Sequence, residues 1–162
     1  MSAVMVLVLI AGLSEATGRV LPLVSRRPGM SRPVVVGLLL SGTLVEAAVI
    51  AFWPRVAWAV AELVASGPTP DATGPAWTPA LVAPLVLAGV LSFPWLGPLL
   101  HLVLLVAVGA GLTGPLATAS GLGWAVAAGC VTVAALGLAC AVDVVRRLVA
   151  RLLAIGVVEA GA

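Results

Sequence analysis

The sequence predicts an all-α, polytopic transmembrane helical bundle of about five spans, and two observations carry that expectation. Hydrophobic residues make up 62% of the 162-residue chain and charged residues only 9%, with a mean hydropathy of +1.26. An ordinary soluble domain has roughly 45–50% apolar and 25% charged residues. The apolar residues also fall in runs close to the roughly 20 residues that a helix needs to cross a hydrocarbon core of about 30 Å. The whole chain, 1–162, therefore reads as a single integral membrane domain with spans at about 3–24, 33–53, 76–93, 95–112 and 121–142.

The first span, 3–24, is interrupted by Glu15 and Arg19 and stops at the run SRRPGMSRP, which holds Arg26, Arg27 and Arg32. It has no positive charge before Arg19 and no small-residue cleavage motif after the apolar run, so it is expected to be retained and not removed as a signal peptide. Pro33 suits the start of the second span, because a proline's missing N–H needs no partner in the first helical turn. After Pro54 the run RVAWAVAELVAS carries Arg55 and Glu62 and reads either as extra turns of the second helix or as an interfacial helix. The Gly- and Pro-rich segment SGPTPDATGP is a loop.

Residues 76–112 are apolar throughout, and as one helix they would reach about 55 Å, too long for a single crossing. Pro94, Gly97 and Pro98 in SFPWLGP favour a break there into two antiparallel spans, the alternative being four spans with 76–112 as one long kinked helix. The last span runs on into DVVRRLVARLL, with Arg146, Arg147 and Arg151. Arginine is enriched in cytoplasmic loops. Segments 25–32 and 143–151 are thus expected inside, and the arginine-free segments 66–75 and 113–120 outside. Five crossings satisfy this, with the N-terminus out and the C-terminus in the cytoplasm. They also bring Trp53, Trp58, Trp77 and Trp124 to the outer interface and Trp95 to the inner one, as an aromatic belt.

Composition limits the functional classes. The net charge of +2 rests on eight arginines and six acids, and the clustered arginines read as topology or lipid head-group anchors (Arg26, Arg27, Arg32, Arg146, Arg147 and Arg151), so no nucleic-acid partner is expected. The absence of Lys, Asn, Gln and Tyr matches a GC-rich bacterial coding sequence, which suggests a bacterial plasma membrane. Cys130 and Cys140 are ten residues apart, about 15 Å along a helix, too far to form a disulfide with each other. There is no His, Asp and Glu metal cluster, nucleophile elbow or phosphate loop, so the chain is expected to be neither an enzyme nor a carrier of a cofactor or metal.

The informative residues are the charged ones inside the spans. A charge at the centre of a bilayer costs about 2.5–3.5 kcal/mol even on a lenient scale, so each needs a partner, a proton or water. Glu15 and Arg19 form an i, i+4 pair on one helix face. Counting from the span ends puts Arg19 about 7–8 Å, His101 roughly 9 Å and Glu46 about 20 Å from the inner side. Glu15, Arg19, His101 and Glu46 are therefore candidates for a proton or ion pathway. Glu46, with no cation on its own span, is the better candidate for a protonated resting state. The plainer expectation is that Glu15 and Arg19 neutralise each other and that His101 is a packing residue.

The run AGLSEATG at 11–18 resembles the first helix of the small multidrug resistance transporters, in which one membrane-embedded glutamate exchanges protons for cationic drugs. The resemblance implies that role for Glu15 and covers one helix. Arg19, Glu46 and an additional hairpin depart from that family's pattern. Two functions are therefore expected from the sequence. The first is a small non-enzymatic subunit or accessory of a larger membrane assembly, with the lipid bilayer and a lateral membrane protein or a homo-oligomer as partners. The second is a small proton-coupled transporter that uses Glu15 or Glu46.

Overall fold

A computed structural model describes residues 2–26, 29–65, 76–91 and 97–159. Arg27 and Trp95 lie outside the described residues, as does the side chain of His101. Five helices, and no strand, make up the described chain: α1 (Ala3–Arg26), α2 (Arg32–Val64), α3 (Pro79–Leu91), α4 (Gly97–Ser120) and α5 (Trp124–Glu159). Four of them, all but α3, are long and apolar enough to cross a membrane.

Only 17% to 28% of each spanning stretch is buried inside the bundle. The outward faces are apolar as well, with Leu44 and Val106 at 65% exposure and Leu99 at 70%. Water would not tolerate so much contiguous apolar surface, whereas lipid tails do.

The helices pack as a ring: α1 on α2 and α3, α3 on α4, α4 on α5, and α5 back on α2, with α2 touching α4 across the middle. Among the described residues, α1 and α5 do not pack on each other. The α1–α2 contact is the most extensive. Its closeness comes from Gly12, where a Cβ would lie 2.7 Å from both Ala47 N and Thr43 O, and from Gly42, where a Cβ would meet that of Ala16 at 3.0 Å. Small residues of this kind let backbones approach and gain dispersion contacts in the absence of a hydrophobic drive between helices.

Four helices extend beyond the expected limits. Helix α2 continues ten residues past Pro54, so the Arg55–Glu62 run is part of it. Pro54 has no N–H, so the Ile50 carbonyl loses its usual partner four residues on. The indole N–H of Trp77 donates to that carbonyl instead, and Trp77 meets Trp53 edge-on with ring centroids 6.2 Å apart. Trp53 itself is 7% exposed and donates to the Val131 carbonyl at 3.0 Å. These two tryptophans thus tie α2 to the rest of the bundle. Trp77→Phe should cost about 1–3 kcal/mol by orphaning the Ile50 carbonyl. Pro54→Ala in the same chain should recover part of that loss in an SDS-titrated unfolding curve; additive losses would rule this account out.

Residues 113–120, expected as a loop, are helical and complete α4. Burial of Leu112, Thr113 and Leu116 fixes this stretch despite Gly114 and Pro115. Thr113 and Ser120 donate to the carbonyls of Gly109 and Leu116. The helix ends at Gly121, whose φ of 70° is a left-handed cap that glycine adopts at no steric cost. Residues 76–112 are not one long helix. Leu81 reaches the position where a Cβ on Gly111 would stand, so the chain has folded back between α3 and α4. As described, α3 has 13 residues, about 20 Å, where an 18-residue span was expected.

Candidate functional site

The α1–α2 register follows from Gly12 facing Thr43 and Ala47 and from Gly42 facing Ala16. It sets the backbone of Arg19 about 10 Å nearer the α1–α2 turn than that of Glu46. Helical side chains tilt toward their own N-terminus. In two antiparallel helices, that tilt turns Arg19 and Glu46 toward each other, and Arg19 Nη1 donates to Glu46 Oε1. Helix α5 also runs antiparallel to α2, as the Trp53–Val131 and Glu46–Arg146 contacts require, so the same tilt brings Arg146 toward the same carboxylate. Arg146 Nη2 donates to Glu46 Oε1 at 2.9 Å.

Two guanidinium groups from two helices therefore meet on one carboxylate oxygen of a third. The Glu46 side chain is 10% exposed, while those of Arg19 and Arg146 are 48% and 52% exposed. Glu15 sits 3.8 Å from Arg19, and Asp143 pairs with Arg147 at 2.7 Å one turn along α5. Opposite charges so placed offset the desolvation that an isolated ion would suffer in so apolar a setting.

The cluster closes one end of a cavity of about 610 Å³, within the size range of ligand sites. Its other walls are apolar: Ala11 of α1, Val49, Ile50 and Trp53 of α2, Leu85 of α3, one side of α4 from Leu105 to Thr113, and α5 from Trp124 to Val142. Two wall residues, Val106 and Trp124, are more than 60% exposed, so the cavity is open at the side. Among the described residues no three His, Cys, Asp or Glu side chains come together as metal ligands.

Of the candidate pathway residues, Glu15, Arg19 and Glu46 are brought together on this cavity. His101 falls on α4, two turns before the cavity-lining Gly109, with its side chain outside the described residues. Arg26, Arg32, Arg147 and Arg151 are exposed. Arg146, expected among these anchors, is also the second partner of Glu46. That partnership spans 100 residues of sequence. The available signal was that the apolar stretch 33–53 around Glu46 holds no cation, which demands one from elsewhere without saying which.

The chain was compared with models of protein families, with curated proteins and with solved structures, and matches none of them.

Proposed function

We propose that this chain is a small, non-enzymatic, multi-pass protein of a bacterial plasma membrane that acts as a subunit or accessory of a larger membrane assembly. The observation that carries this reading is the Glu46 clamp. A carboxylate shared by two arginines from two other helices has its charge offset in place and serves to join α1, α2 and α5. That arrangement suits a rigid bundle and not a carrier that must bind and release its cargo. The outward apolar faces of α2, α4 and α5 leave lateral contact as the route to a protein partner. The N-terminus is outside and the C-terminus cytoplasmic, supported by both arginine-rich helix ends lying at the same end of the bundle as the α1–α2 turn.

The test is migration of the chain, expressed at its natural level, in native gels of gently solubilised membranes, together with site-specific photo-crosslinking from Leu44 and Val133. A single higher-mass species with one discrete crosslinked partner is the expected result. A lone monomer with crosslinks to lipid only would reject the reading.

The second reading, a proton-coupled transporter that uses Glu15 or Glu46, is favoured by one observation: both carboxylates line the open cavity. It predicts that the purified chain in liposomes collapses an imposed pH gradient when substrate is present, and that Glu15→Gln abolishes this.

A further inference from the structure

The cavity joins two chemistries. At its charged end Arg19 and Arg146 use a single oxygen of Glu46, yet about half of each side chain remains exposed (48% and 52%). A guanidinium carries five N–H donors in a fixed fork. Each fork therefore keeps donors beyond the one that Glu46 takes, with Glu15 also paired to Arg19 at 3.8 Å. Asp143, the acid on the α5 side, is engaged by Arg147. Glu15 lies on the α1 side, so the approach past Arg146 is the more favourable one for an anion. Arg26, Arg32 and Arg151 stand exposed at the same end and add to a positive field. Beyond the arginines the groove is apolar and open at the side along Val106, Ala110, Ala135 and Ala139. In a helix bundle that spans a bilayer, such an opening faces acyl chains, and basic pockets between transmembrane helices take anionic head groups.

We propose that this groove binds one phospholipid with an anionic head group, its acyl chain lying along α4 and α5 and its phosphate held by Arg146 and Arg19. The site belongs to the isolated chain, so its test does not depend on the assembly proposed above.

The experiment uses the purified full chain in phosphatidylcholine nanodiscs with a trace of spin-labelled lipid, the nitroxide near the end of the acyl chain. Labelled phosphatidylglycerol should give an immobilised component about fivefold larger than labelled phosphatidylcholine does. Arg146→Gln should remove that preference and leave an immobilised component. Ala139→Trp fills the groove away from the ion pairs and should remove the component for both lipids. Ala110→Trp does the same from the opposite wall, with circular dichroism reporting that each variant is folded. Equal components for the two lipids in the unmodified chain, or a component that survives in folded tryptophan variants, would overturn the proposal. Displacement by excess inorganic phosphate would make this a site for a free anion and would overturn it as well.

Discussion

Glu46→Ala is expected to lower the stability of the bundle by about 3 kcal/mol, because it leaves two guanidinium groups facing each other without the carboxylate that joins them. Removing one partner of a buried pair commonly costs 3–5 kcal/mol, and half-exposure of both arginines puts the expectation at the lower end of that range. Arg146→Gln should cost only about 1 kcal/mol, since Arg19 still holds the carboxylate. SDS-titrated unfolding of the purified chain in mixed micelles measures both. A Glu46→Ala curve that coincides with the parent curve would mean that the clamp contributes nothing to the fold. A double-mutant cycle between Glu46 and Arg146 isolates their coupling from the cost of burying either alone.

The second large effect concerns packing. Gly12→Ala should destabilise by about 3 kcal/mol, since the added Cβ would stand 2.7 Å from two backbone atoms of α2, and backbone cannot turn aside as a flexible side chain does. The α1–α2 pair would have to separate, and the Arg19–Glu46 bond depends on that register. Gly18→Ala and Gly37→Ala serve as controls. Neither Cβ would meet any atom within 4 Å, so each should be neutral or stabilising by up to about 1 kcal/mol through helix propensity. Equal losses at all three positions would show that close approach at Gly12 is not what holds α1 to α2.

The Glu15, Arg19 and Glu46 group was legible as a set of embedded charges, because each stands out against an apolar run. The place of each was less legible. Counting along separate spans set Arg19 and Glu46 more than 10 Å apart in depth. The structure closes that gap through opposed side-chain tilts on antiparallel helices, which a residue count along one span cannot include. The types of Trp53 and Trp77 suggest an interface, while their partners, the Val131 carbonyl and the Ile50 carbonyl freed by Pro54, come only from the packing of the bundle. Similarly, Gly114 and Pro115 argue locally for a loop, and burial of Leu112 and Leu116 overrides them.

Residue types and their order are enough for the class: an all-helical chain with helices long and apolar enough to cross a membrane, in which 76–112 is not one helix. Composition, run length and the position of prolines are local properties whose free energies add residue by residue, so they survive without any knowledge of neighbours. The pairing of Glu46 with both Arg19 and Arg146, 27 and 100 residues away, and the closing of one cavity end by the three come from the packing of the helices. Which charges meet depends on the register and neighbour order of whole helices, set here by Gly12 against α2 and Trp53 against α5. Those contacts depend on the shapes of two surfaces at once, and neither segment encodes them alone.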